Sequence, residues 1–342
     1  MTDSRPVLAR LGLSTGAAAL RVRFLGVVVF LVLLIVAFTI LSPRFLTFDN
    51  GRSILFTAAI LAVAAVGQTL VVLTGNLDLS VGSIMGVTAY VVYDIGGQAP
   101  ALQPFVVVLA IVVGGILGAF NGLLVAVLGI PSIVATLGTL SIYRGFVSFY
   151  ANAQEVTVGE LPQWMRDLAT GIWFGLPAYV WLALVLVIVV GLALRLLPAG
   201  RMIYAYGSNP RAARFFGLSS GRIVFGAYVA AGVIAAFAGL LLGAQVGNIN
   251  SQLASGLELQ VLAAAVIGGV SIWGGSGSVF GAAVGAIVLA TINNGLVLLQ
   301  VQEYYRLLIQ GAAIVLAVAV DAIVQHRVHS ATTRRRIMEV SA

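Results

Sequence analysis

The chain has 342 residues, 61 % hydrophobic and only 8 % charged, with a mean hydropathy of +1.10; an ordinary soluble domain carries roughly 25 % charged residues. That composition excludes a soluble globular domain and specifies an integral membrane protein. The net charge is +7 and all 18 basic residues are arginine, so the G-x-x-x-x-G-K-[ST] phosphate loop, which needs a lysine, cannot be present. The chain is therefore not its own P-loop ATPase. Cysteine is absent and both histidines, His326 and His329, lie in the C-terminal tail, which removes disulfides, Cys/His metal sites and histidine catalysis from the apolar region. Arginines flanking apolar spans suit anionic lipid headgroups rather than nucleic acid.

Crossing about 30 Å of hydrocarbon takes roughly 20 mostly apolar residues. Ten segments qualify in chain order: 24–41, 54–74, 77–95, 105–128, 132–150, 179–197, 222–247, 257–273, 279–299 and 307–324. Residues 1–23 precede the first span, 24–324 form one transmembrane domain, and 325–342 make a polar tail. The first span ends at Leu-Ser-Pro-Arg-Phe with no small-residue cleavage pattern and reads as a retained helix. With ten spans and the N-terminus inside, 13 of the 18 arginines fall on the cytoplasmic side, as positive charge near spans requires. Both termini are then cytoplasmic, and the long loop 151–178, with Glu155, Glu160 and Asp167, faces out.

Leu77-Asp78-Leu79 opens the third span and Leu257-Glu258-Leu259 the eighth, while Asn121-Gly122 and Asn294-Gly295 sit in the fourth and ninth. These offsets of about half the chain suggest two five-helix repeats, inverted because an odd number of crossings reverses the second copy.

Between spans six and seven lies GSNPRAARFFGL, residues 207–218. Asn209 suits a helix N-cap, Pro210 the first helical position and Gly217 the left-handed residue after the end, giving a helix of about two turns over 209–216. Two roles fit its arginines and phenylalanines: a surface helix resting on anionic lipid, or a docking knob for a cytoplasmic partner.

This segment resembles the G-x-N-x-x-A-A-R-x-x-G motif of permease subunits of bacterial ABC sugar importers, the ribose, xylose, rhamnose and autoinducer-2 group. GNLDLSVGS at 75–83, NGLLVAVLGIPSIVATLGTLSIYRG at 121–145 and LELQVLAAAVIGGVSIWGGSGSVFGAAVGA at 257–286 agree with it in order. The resemblance implies a type II-like, all-α polytopic permease of the bacterial inner membrane. It further implies a separate ATPase subunit that binds ATP and Mg, an extracytoplasmic solute-binding protein, and a second permease chain, identical or related. By the same likeness Ser208, Asn209, Arg211, Ala212, Ala213 and Arg214 form the surface coupled to the ATPase. Two positions depart from the ribose-type pattern: Asn76 stands where Gly is usual, and Gln260 where an acid is usual. Asn76, the Ile-Pro-Ser stretch and the Gly-Gly-Ser-Gly turn look more like the autoinducer-2 and rhamnose branch.

Polar groups at membrane depth are the remaining site candidates. Asp78 is expected to stabilise a helix start or line a gate at the inner mouth, and Glu258 to stabilise a helix start, dock the external binding protein or line the outer vestibule. Gln68, Asn121, Asn293, Asn294 and Gln310 bond helix to helix or form a weakly polar track for solute hydroxyls, and Asn76 joins the pathway or gate candidates. Arg144, near the outer end of its span, is expected to snorkel to headgroups. The sequence leaves open an ion-coupled secondary transporter, although mid-span carboxylates are scarce; an intramembrane serine hydrolase lacks its histidine.

Overall fold

The computed structural model describes residues 15–157, 167, 171–316 and 319. In chain order the helices are α1 (Thr15–Leu41), α2 (Phe48–Leu73), α3 (Val81–Gln98), α4 (Val106–Gly122), α5 (Ser132–Ala151), α6 (Ala178–Leu196), α7 (Pro198–Ser208), α8 (Pro210–Phe215), α9 (Ser220–Val246), α10 (Leu257–Ile267) and α11 (Val279–Leu298), followed by α12 over 303–316. A 3₁₀ turn, Pro100–Phe105, leads into α4, and a π-helical turn, Leu123–Val127, leads out of it.

Among the described residues seven helices are long and apolar enough to cross a membrane: Phe24–Leu41 within α1, α2, the run Pro100–Val127 through α4, α5, α6, α9 and α11. The expected count of ten is not reached, for three separate reasons. α3 has the length, but Asp94, Gln98 and several glycines dilute its hydropathy. It is buried along most of its length between other helices, where lipid makes no demand on its surface. α10 has 11 residues because the chain turns at Gly268, leaving the rest of the expected 257–273 span in a glycine-rich turn. α12 starts at 303 and runs into residues outside those described, as does the 325–342 tail. At the other end α1 is already helical from Thr15, inside the stretch read as preceding the first span.

The core is built on α2, α3 and α9, with α4, α5, α10 and α11 packed around them. α1 lies outside, its Phe38 ring seated over Gly295 of α11. Lipid tails offer no hydrophobic drive between helices, so small residues set the close contacts. At the α4–α9 crossing a Cβ on Gly118 would lie 3.1 Å from Gly232 Cα, and a Cβ on Gly232 would lie 2.8 Å from Gly118 Cα. Two short antiparallel ribbons complete the fold. β1 (Val156–Thr157) pairs with β4 (Asn248–Ile249), tying the loop after α5 to the loop after α9. β2 (Ile172–Trp173) and β3 (Leu176–Pro177) form a hairpin beside the start of α6.

Candidate functional site

The first feature is α8. Asn209 is extended, at φ −157° and ψ 92°, and its Oδ1 accepts the Ala212 N–H at 3.0 Å. Pro210 follows at the first helical position, where its missing N–H is no loss. At the other end Leu218 N–H donates to Ala213 O and Gly217 N–H to Arg214 O, both at 3.0 Å, while Gly217 takes φ 78°. That is a Schellman cap, so both ends of a helix of barely two turns are closed. Phe215 and Phe216 are 92 % and 86 % exposed, and Arg211 and Arg214 are exposed beside them. Of the six residues expected on this surface, Ser208, Asn209, Arg211 and Arg214 are exposed and Ala212 is half-buried. Ala213 is 4 % exposed and faces the bundle, so it seats the helix and is not part of its outer face.

The second feature is a pair of non-helical segments that lead into α3 and α10. Residues 74–80 are non-helical, and α3 starts only at Val81 with Ser80 as its N-cap. Asp78 is therefore not the helix cap. Its Oδ1 accepts the Ser80 N–H at 2.8 Å and the Ser80 hydroxyl at 2.6 Å, closing a turn just ahead of the helix. Asn121 Nδ2 donates to Ser80 Oγ at 2.7 Å, and Tyr143 donates to Leu117 O at 2.8 Å and to Asn121 Oδ1 at 3.4 Å. This non-helical strap, residues 74–80, is held from outside as well. Leu77 N–H donates to Ser132 Oγ at 3.2 Å, and the Tyr228 hydroxyl donates to Leu77 O at 2.9 Å. Asp78, Ser80 and Asn121 are all at most 1 % exposed. Asn76, half-buried, bonds back to Thr74 Oγ1 at 3.0 Å.

α10 also starts after a non-helical segment, with Gly256 at φ 82° as its N-cap. Its first turn carries Glu258, whose Oε1 accepts the Gly256 N–H at 3.2 Å while Oε2 has no hydrogen-bond partner. The starts of α3 and α10 meet: a Cβ on Gly82 would overlap the Glu258 carboxylate and come within 2.7 Å of Ala254 O. Two positive helix ends thus converge, each with a carboxylate beside it. Arg144 does not snorkel; Nη1 donates to Leu253 O at 2.7 Å and Ser251 O at 3.3 Å, holding the loop that leads into α10.

The other candidates are not gathered here. Gln68 is 1 % exposed in α2 with neither amide atom paired. Asn293 Oδ1 accepts from Gln310 Nε2 at 3.3 Å, and Asn294 Oδ1 is buried without a partner. A groove of about 600 Å3 is lined by Phe24, Leu25, Arg195, Tyr204 and Ser278 among others, and none of the expected pathway residues faces it. Burial pushes the Tyr204 phenol upward, with Arg195 pulling the other way. The sequence reading passed over Ser80, Ser132, Tyr143 and Tyr228. Their signal was present in the quoted motifs for the first three, but which hydroxyl meets which backbone group depends on how the helices pack.

Seven helices able to cross a membrane among the described residues, with two helix starts meeting between them and a capped helix projecting from the chain, define a class: a multi-pass membrane transport component. A family model described as branched-chain amino acid transport system / permease component matches residues 51–318, and the chain belongs to that family. It is similar to the autoinducer 2 import system permease protein LsrC of Photorhabdus laumondii, 36 % identical over 83 % of this chain and 84 % of that protein. LsrC of Escherichia coli strain HS is 37 % identical over 85 % of this chain and 84 % of that protein. A probable ABC transporter permease protein, y4mJ, of Sinorhizobium fredii is 35 % identical over 85 % and 86 %. No solved structure matches the chain. The chain is accordingly the permease component of an ABC importer of the sugar and autoinducer-2 group.

Proposed function

We propose that this permease carries a small, hydroxyl-rich solute across the bacterial inner membrane, with autoinducer 2, the furanosyl signal named for its relatives, as the leading substrate. Hydrolysis of ATP belongs to a separate subunit that binds ATP and Mg, so the chain itself is no enzyme. A solute-binding protein delivers the cargo on the outer side, and a second permease chain completes the passage. Both termini are cytoplasmic, and the chain crosses ten times as two inverted halves, with α3 and the α10 segment as the interrupted helix of each half.

The observation that carries this reading is α8: a helix capped at both ends that projects two bare phenylalanines and two arginines. A rigid knob transmits displacement, whereas a fraying one absorbs it. Asp78, Asn121 and Glu258 stand at the meeting of the two helix starts and form the gate of the pathway; Gln68, Asn76, Asn293 and Asn294 extend its polar lining. The test is charge reversal. Arg211→Glu with Arg214→Glu abolishes co-purification of the ATPase subunit and ATP-driven uptake of autoinducer 2, while the permease still inserts at normal levels. Unchanged uptake, or uptake driven by an ion gradient without ATP, contradicts the proposal.

A further inference from the structure

Behind α8 the chain makes an unusually tight junction. α7, the amphipathic helix leading into the knob, ends at Gly207-Ser208 directly against two other segments. One is the end of α2, where the chain leaves the helix at Leu73 and turns through Gly75 toward Asp78. The other is the turn 271–278 between α10 and α11. Gly275 N–H donates to Leu73 O at 2.9 Å, joining these two segments to each other. Ser208 Oγ bonds Gly275 O at 3.3 Å and its own helix at Tyr204 O at 2.8 Å; the Tyr204 hydroxyl donates to Gly277 O at 3.0 Å. Gly207 sits in the corner of all three. A Cβ there would overlap Leu73 O and lie 2.6 Å from Gly275 N, both backbone atoms with nowhere to retreat. Gly274 and Gly275, at φ 84° and 69°, hold the turn in the shape that lets it approach.

The topology gives this corner its meaning. The segment after Leu73 leads within a few residues to the buried Asp78 turn and the start of α3; the turn 271–278 closes the far end of α10, whose start carries Glu258. Segments leading to α3 and from α10 are therefore fastened to α7, the helix that leads into the knob, by the close backbone approach at Gly207 and by the Ser208 and Tyr204 hydroxyls. Packed contacts of this kind move together or break; they do not stretch.

We propose that the Leu73–Gly207–Gly275 corner, pinned by Tyr204, is the transmission joint of the transporter: it converts one displacement of α8 into simultaneous displacement of α3 and α10. This rests on the proposed docking of an ATPase at α8. Gly207 and Tyr204 are positioning residues that touch neither solute nor nucleotide.

The experiment uses the complex of permease, ATPase subunit and binding protein in liposomes. In the Gly207→Ala complex the ATPase subunit stays bound and hydrolyses ATP, but uptake of autoinducer 2 per ATP falls at least about tenfold, as overpacking of a close contact implies. Tyr204→Phe, which removes one hydroxyl and is expected to fold normally, lowers that ratio about two- to tenfold, the scale of a single hydrogen bond. A second readout needs no solute. The chain has no cysteine, so nitroxide labels can be placed on the exposed Arg201 of α7, Trp273 of the turn and Phe149 at the far end of α5. On trapping with ATP, Mg and vanadate, the 201–273 distance holds while the 201–149 distance changes; in Gly207→Ala the 201–273 distance no longer holds. If both distances change equally in the unaltered chain, or if Tyr204→Phe and Gly207→Ala transport with unaltered coupling, the joint is refuted. Failure of the docking reading looks different: Arg211→Glu with Arg214→Glu then retains the ATPase subunit. Should Gly207→Ala fail to assemble, Tyr204→Phe and the distances in the unaltered chain decide.

Discussion

The starts of α3 and α10 carry nearly the same tripeptide, Leu77-Asp78-Leu79 and Leu257-Glu258-Leu259, yet the structure finishes them differently. Around Asp78 the polar groups are closed into a network: Ser80 gives it two bonds, Asn121 and Tyr143 extend the chain, and Ser132 and Tyr228 fix the strap from either side. Around Glu258 the arrangement is open. One carboxylate oxygen reaches only its own loop, the other is unpaired, and Arg144 satisfies carbonyls of that loop while its Nη2 finds no partner. A fully satisfied buried network rigidifies its surroundings, whereas a partly satisfied one leaves capacity for another partner. The α3 start is thus the fixed member of the pair, and the α10 start the one able to rearrange or meet a solute.

Substitutions can break or sharpen that contrast. The largest effect falls on Asp78→Leu, which strands the Ser80 N–H and hydroxyl away from water at about 1–3 kcal/mol each; thermal unfolding of the detergent-solubilised protein drops sharply or the protein fails to accumulate. Next comes Gly82→Val. Its side chain collides with Glu258 and Ala254 O where the two helix starts touch, costing about 1–3 kcal/mol of overpacking, and uptake falls further than stability because the meeting point itself is displaced. Arg144→Met frees the loop before α10 by removing two bonds worth about 1 kcal/mol or somewhat more each; hydrogen exchange at residues 248–256 speeds up while residues 77–83 stay protected. Glu258→Gln is the mildest, about 1 kcal/mol in stability, because an amide oxygen can still accept the Gly256 N–H and only the charge attraction to Arg144 is lost. Its effect appears in uptake. A Glu258→Gln variant that unfolds as readily as Asp78→Leu would erase the distinction between the two sites.

What the sequence disclosed, and what it hid, divides along the same physical line. The geometry of α8 was readable to the residue, because an Asn-Pro start and a Gly stop act through bonds within a few positions. The long apolar helices were readable for an equally local reason, since each needs only enough apolar surface to face lipid. α3 and α10 are helices where spans were expected but differ from the lipid-facing ones: α3 is wrapped by protein and α10 is cut short at Gly268. α7 stayed hidden between a span and a motif, and Arg144 was assigned to headgroups because nothing local announces that carbonyls more than a hundred residues later will reach it. The β1–β4 ribbon and the Gly207 corner belong to that category too. Both are contacts between segments far apart in the chain, and only packing brings them together.

The central claim is that α8 is a rigid cytoplasmic knob gripped by a motor subunit. Phe216→Cys, a single thiol in a cysteine-free chain, tests it with a membrane-impermeant maleimide. The account predicts no reaction in intact cells, rapid reaction in inside-out vesicles stripped of the ATPase subunit, and protection when that subunit is added back. Labelling from the outside of intact cells, or a thiol the added subunit leaves fully reactive, would contradict it.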